Sequence, residues 1–227
     1  MFEIKIDGKV IGFPERLTIS QWMRLARWDV SSHENWPFII GTILQVHPKD
    51  IEEVPEGQQE LLVGFTVNLM NRRLESKMLD LSGITFGEWV DLDVWTAEGF
   101  DKSLLKCLTI LGETEWADEA LWKIEKWLDY RTYVYRQYAE MFGLTEEGEL
   151  QVEDEDSEPK SHEDIIAGWY TIICGLASED VLRIDSITKQ PLLSIFNFMA
   201  HQKRKQIAEN FQKLKQQREY ELQRNRR

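Results

Sequence analysis

Residues 17–22 read Leu-Thr-Ile-Ser-Gln-Trp, and residues 84–89 read Ile-Thr-Phe-Gly-Glu-Trp. Each hexamer spells the start of a helix. A threonine at the N-cap followed three residues later by Gln or Glu forms a capping box, in which the hydroxyl accepts from the N3 amide and the N3 side chain returns to the cap. Thr18 with Gln21 and Thr85 with Glu88 fit those slots. An apolar residue before the cap and another at N4 make a hydrophobic staple that sets the angle of the incoming chain. Leu17 with Trp22 and Ile84 with Trp89 fit these. At the same offset Leu25 matches Leu92, Trp28 matches Trp95, and Thr42, Ile43 and Leu44 match Thr109, Ile110 and Leu111. With Thr18/Thr85 and Trp22/Trp89 this gives seven identities between 17–44 and 84–111, without a gap. Capping demand alone explains the hexamer but not the later matches. The expectation is two related helical units, each a capped helix, a loop and a second apolar helix. Two copies make a duplication rather than a solenoid.

Upstream of the first copy, apolar and polar residues alternate on both sides of Asp7-Gly8. This dipeptide favours a type I′ turn and predicts a hairpin, with Phe2, Ile4 and Ile6 on one arm and Val10, Ile11 and Phe13 on the other. A lone hairpin is marginal in water, so it must lean on the helices. Pro48 opens a short helix with acids in its first turn. Residues 56–73 place Leu61, Leu62, Phe65 and Leu69 at helical spacing. Residues 117–142 predict the longest central helix, with an inner stripe of Leu121, Ile124, Leu128, Val134 and Tyr138 and a stop at Gly143. Beyond residue 161, Ile166, Trp169, Ile173 and Leu176 share a helical face. The predicted class is mainly α: an N-terminal β-hairpin packed on a multi-helix core with two related helical units, ending in a long basic C-terminal helix.

Charge divides the chain further. Eight acids fall in the fourteen positions 146–159. Such a segment has too little apolar surface to offset chain entropy and reads as a linker or loop, a solvated spacer or else a docking site for a basic partner. Residues 203–227 carry nine basic residues against three acids, and their apolar stripe (Ile207, Phe211, Leu214) fades after Leu214. They read as an exposed arm, helical or fraying. The expected organisation is 1–144, hairpin plus duplicated core; 145–161, acidic linker; 162–202, helices closing the core; and 203–227, basic arm.

A net charge of −13 disfavours non-specific binding of nucleic acid by the chain as a whole. Cys107 and Cys174 both sit in apolar runs, as buried free thiols of a reducing compartment do. The first residues carry no signal-peptide pattern and no apolar run reaches transmembrane length, so the expected site of synthesis is the cytoplasm. No phosphate loop, nucleophile elbow or metal-ligand spacing occurs. His47 and His162 stand beside acids at helix starts and read as structural. Asp91-Leu92-Asp93 lacks the spacing of a calcium loop. No cofactor, metal or catalytic residue is expected.

The "DGK" turn, "LTISQWMRL", "ITFGEWVDLDVW" with "LLKCLTIL", and the closing "GWYTIICGLASEDVLRIDSITKQPLLSIFNFMAH" together resemble small helical proteins encoded among the tail genes of tailed bacteriophages, of the tail assembly chaperone or accessory kind. The resemblance spans most of residues 1–200. It implies a non-enzymatic protein that binds tail or tape-measure subunits in the host cytoplasm, with no membrane involved. The duplicated core, acidic insert and basic arm depart from the smaller chaperones. They leave open a permanent place in the virion near the tail or portal, a homo-oligomer, or nucleic-acid binding through the arm. The expected partner-binding residues are Lys203, Arg204, Lys205, Lys213, Lys215, Arg218, Arg224, Arg226 and Arg227. Thr18, Gln21, Trp22, Thr85, Glu88 and Trp89 are expected to be structural.

Overall fold

The computed structural model describes residues 3–6, 8–74, 79–142 and 161–224. Phe2, Asp7, Gly143, Arg226, Arg227 and the acidic stretch up to residue 160 lie outside the described residues, as does the side chain of Arg224. The fold is mainly α. Two strands, β1 (Glu3–Ile6) and β2 (Lys9–Gly12), precede α1 (Ile19–Leu25), α2 (Trp36–Leu44), α3 (Pro48–Glu52), α4 (Glu56–Asn71), α5 (Phe86–Glu98), α6 (Phe100–Leu111), α7 (Ala117–Gln137), α8 (Ala139–Phe142), α9 (His162–Leu176), α10 (Val181–Thr188) and α11 (Leu192–Arg224). The residues form two compact units that interleave along the chain. Unit 1 holds residues 1–80 and 98–128, and unit 2 holds residues 81–97 and 129–227. The expected duplicated core of 1–144 thus contributes to both.

In unit 1, Ile6 pairs with Lys9 across the two-residue turn, and Gly8 takes φ 75°, as a type I′ turn requires. Ile4 faces Ile11 on the inner side of the hairpin, where both pack on the core with buried Ile6 and Phe13. Val10 pairs with Lys5 on the other side and is exposed, which the alternation of a strand demands. The hairpin leans on Leu17, Leu25, Trp36, Ile39, Ile40 and Ile43. On α4 the buried residues are Leu62, Val63 and Thr66; Leu61 is exposed and Phe65 nearly half so. The inner face is therefore rotated from the Leu61/Phe65 stripe. The Thr66 hydroxyl satisfies itself on the Leu62 carbonyl, 2.8 Å away, so a polar residue can occupy the core face.

Unit 2 is built on aromatic rings. Phe86, Trp89, Trp169 and Phe196 are all buried, and Phe196 meets each of the other three with ring centroids 5.7–6.4 Å apart. On α9 Trp169 is buried and Ile165, Ile172, Ile173 and Leu176 are half-buried, so the expected stripe fails only at Ile166, which is exposed while Ile165 is half-buried. The expected 117–142 helix breaks at Tyr138 into α7 and α8, and the longest helix is α11, with 33 residues.

The repeated hexamer has the same surroundings in each unit. Ile19 N–H donates to the Glu115 carbonyl (3.0 Å) and Ala117 N–H to the Leu17 carbonyl (2.9 Å). In unit 2, Phe86 N–H donates to Gln190 (2.8 Å) and Leu192 N–H to Ile84 (3.0 Å). Each hexamer therefore does two jobs: it caps its own helix, and it forms a one-step antiparallel bridge to the start of a distant helix, α7 or α11. This bridge satisfies N–H groups that a helix start otherwise leaves orphaned. The two halves of the second copy do not share a unit: α6, the counterpart of α2, belongs to unit 1 with α1 and α2, whereas most of α5 belongs to unit 2.

Candidate protein-interaction face

The hexamer residues take the roles their spacing predicts. In the first copy Thr18 Oγ1 accepts from Gln21 N at 3.2 Å while Gln21 Oε1 accepts from Thr18 N at 3.0 Å. In the second, the Glu88 carboxylate accepts from Thr85 N at 2.8 Å and Thr85 Oγ1 accepts from Glu88 N at 3.2 Å. Leu17, Ile84 and Trp89 are buried. Trp22 is half-buried on the unit 1 core and donates its indole N–H to the Met70 carbonyl at 3.2 Å. Of these residues Thr18 also borders an open pocket of about 580 Å³, with Ser20, Met23, Arg24, Arg27 and Leu105.

Among the described residues each unit also buries one aspartate. In unit 1, Asp118 accepts from Arg16 Nε at 3.1 and 3.0 Å, and the same guanidinium lies 4.7 Å over the Trp116 ring. In unit 2, Asp93 is held by Arg131 Nε, by the Tyr135 hydroxyl at 3.2 Å and by the Trp169 indole N–H at 2.7 Å. Burial lowers the basicity of Arg131, but the charge and hydrogen bond of Asp93 outweigh it and hold the guanidinium charged. Burial, reinforced by the Asp93 charge, pushes the Tyr135 phenol well above its ordinary value. Both carboxylates thus have their lone pairs committed to side chains that cement the fold. Sequence reading missed both. It weighed Asp93 only as part of a calcium loop, and the arginines that hold Asp93 and Asp118 stand 38 and 102 residues away.

Of the two thiols expected to be buried, Cys107 is and Cys174 is only half so. Burial pushes the Cys107 thiol up to about 11, so it stays protonated and is a poor nucleophile at neutral pH. His47 caps α3, its Nδ1 accepting from Lys49 N at 3.2 Å. Among the described residues no group of three His, Cys, Asp or Glu side chains is placed to hold a metal. No single helix among them is long and apolar enough to cross a membrane.

What stands out is exposed surface on unit 2. Every described side chain of α11 from His201 to Glu219 is exposed, including Lys203, Arg204, Lys205, Lys213, Lys215 and Arg218. Ile207, Phe211 and Leu214 stand among them, 48%, 70% and 55% exposed. Arg204 meets Glu140 on α8 at 3.5 Å, both side chains largely in water, a pairing worth about 0–1 kcal/mol. The root of α11 forms one wall of an open groove of about 750 Å³, with Phe142, Ile172, Leu176, Phe198 and Met199 on its sides. Ile166 and Tyr170 on α9 and Val181 and Leu182 on α10 are also exposed, which the sequence did not announce.

Comparison of the chain with protein families, curated proteins and solved structures gives no match.

Proposed function

We infer that this chain is a non-enzymatic bacteriophage morphogenesis protein that binds tail or tape-measure proteins during tail assembly. One observation carries the interaction reading: α11 presents an apolar stripe and six basic side chains to water over residues 203–218. Exposed Ile, Phe and Leu in one row are costly unless a partner buries them, and such rows mark interaction surfaces. The assignment to tail assembly rests on the resemblance of residues 1–200 to tail accessory proteins. The buried aspartates fit a scaffold role, since both are consumed by internal partners.

The test is co-expression with the tail and tape-measure proteins of a tailed phage that encodes this chain. A tail protein should gain solubility and co-purify with it. If none does, the chaperone reading falls. Mass spectrometry of purified virions separates the second reading, a permanent structural component: stoichiometric presence favours it, absence favours a transient chaperone.

A further inference from the structure

We propose that α11 binds its partner as a two-stranded coiled coil, and that the partner strand is an acidic amphipathic helix with carboxylates facing Arg204 and Arg218. The proposal rests on the reading of α11 as a partner-binding arm and specifies the chemistry of what it takes.

The register follows from spacing. Ala200, Arg204, Ile207, Phe211, Leu214 and Arg218 recur at alternating steps of four and three, the seam of a left-handed coiled coil. In heptad terms Ala200, Ile207 and Leu214 take d, and Arg204, Phe211 and Arg218 take a. The opposite face is already used: Met199, Gln202, Gln206 and Glu209, at c and f positions, line the groove against α9. The seam residues from 204 to 218 are exposed, and at the near end Arg204 meets Glu140 on α8 in a weak surface contact that the partner's carboxylate replaces. At 1.5 Å per residue the seam from Ala200 to Arg218 is about 27 Å long.

Charge selects the occupant. The flanking e and g positions are His201, Lys203, Ala208, Asn210, Lys215 and Gln217. No acid stands on the seam or its flanks between 200 and 218; the one acid in that stretch, Glu209, lies on the far face. A second copy in parallel would set Arg204 against Arg204 and Arg218 against Arg218. An antiparallel copy packs a positions on d positions and would set Arg204 against Leu214 and Arg218 against Ala200. The parallel copy stacks like charges at core positions, and the antiparallel one presses each guanidinium on an apolar residue with no acid to relieve it. A partner carrying Glu or Asp opposite the two arginines turns those positions into ion pairs that fix register, with apolar residues between them burying Ile207, Phe211 and Leu214. Nucleic acid would satisfy the basic side chains but leave the three apolar ones in water.

The probe is a synthetic 21-residue peptide of three acidic heptads, with Leu and Ile on its seam and Glu at the two positions facing Arg204 and Arg218. Its partner is the full-length protein, followed by fluorescence anisotropy, with a composition-matched scramble as control. The designed peptide should bind and the scramble should bind at least tenfold more weakly. Ile207→Asp should weaken binding at least tenfold. The double variant Arg204→Glu with Arg218→Glu should reverse preference toward a peptide with Lys at the two facing positions. All three sites are exposed, and unchanged circular dichroism establishes that the variants fold. Equal binding of peptide and scramble overturns the proposal. So does a dimer of the protein alone that Ile207→Asp dissolves, which would make a second copy the occupant, or tight binding of a 20-base-pair duplex that Ile207→Asp leaves unchanged. Tail-protein capture is scored separately. If the peptide results hold but the double variant captures tail proteins as well as the wild type, the coiled coil stands and the tail-assembly role of the arm falls. If capture is lost while the peptide shows no register preference, the arm reading stands and the coiled coil falls.

Discussion

Trp169 on α9 donates its indole N–H to Asp93 on α5 across 2.7 Å, and both residues are buried. The same carboxylate receives Arg131 and Tyr135 from α7, so one side chain ties three helices of unit 2 together. Removing it leaves a guanidinium, a phenol and an indole without their shared acceptor. Asp93→Ala is expected to lower unfolding free energy by about 3 kcal/mol, the low end for breaking a buried pair, because a third of the Arg131 side chain keeps water contact. Asp93→Asn retains an acceptor oxygen for Trp169 and should cost less. Urea titration followed by tryptophan fluorescence measures both. A change within 0.5 kcal/mol for the alanine variant would show that the clamp contributes nothing.

The two capping boxes share geometry, so their losses should be alike. Thr18→Ala and Thr85→Ala are each expected to cost about 0.5–2 kcal/mol. The staple tryptophans should differ. Trp89 is fully buried among Tyr130, Tyr135 and Phe196, and Trp89→Ala should cost about 3–5 kcal/mol. Trp22 is half-buried and should cost less when truncated. Chemical denaturation of the four variants checks the order; a larger loss at Trp22 than at Trp89 would contradict it.

These caps show which part of the fold can be read from sequence. A capping box closes within three residues, so Thr18, Gln21, Thr85 and Glu88 declare it by themselves. The Asp7-Gly8 hairpin is equally local. What the hexamers bridge to is not local: Glu115 and Gln190 lie about a hundred residues on, and nothing in their own neighbourhoods marks them. Helix faces fall between these cases. On α9 the apolar residues Ile165, Ile166, Ile172 and Ile173 come in adjacent pairs, so periodicity alone allows two faces. The hydrogen bond from Trp169 to Asp93 is a tertiary feature that decides for Ile165 over Ile166, while Ile172 and Ile173 are both half-buried. The arm shows the reverse relation. Its charge and exposure were plain from the fading apolar stripe, while the choice between a helix and a fraying end was not, and the helix runs on to Arg224.

Alkaline pH should loosen the protein through Cys107 and then Tyr135. The Cys107 thiol is raised by burial from 9.0 to about 11. Above pH 9 the unfolded thiol sheds its proton while the folded one keeps it, so the unfolded state binds fewer protons and stability falls with rising pH. The contribution is whole below pH 9 and lost as pH passes through about 11. Tyr135, raised from 10.0 by burial and by Asp93, extends the decline upward from pH 10. Denaturant midpoints measured from pH 8 to 11 should fall, with a shallower slope between 9 and 11 in Cys107→Ala whatever its absolute stability. A slope identical to wild type would remove Cys107 from the account.

Gly87 marks where the two hexamers diverge, since the first copy has Ser20 at that place. Ser20 is exposed, whereas a Cβ on Gly87 would stand 3.0 Å from Thr188 Cβ and 3.1 Å from the Thr188 carbonyl oxygen. The glycine lets the end of α10 approach the first turn of α5. In an open helix, replacing Gly by Ala gains about 1 kcal/mol of helix propensity. Here the new methyl meets backbone, which cannot rotate aside, and overpacking of this kind costs about 1–3 kcal/mol. Steric cost should therefore win. Gly87→Ala is expected to lower the melting temperature, and Gly87→Ser, which copies the first hexamer, at least as much. Ser20→Ala should stay within about 0.5 kcal/mol of wild type, as exposed substitutions do. A rise in melting temperature for Gly87→Ala would mean that α10 yields to the methyl group and that propensity, not close packing, decides this position.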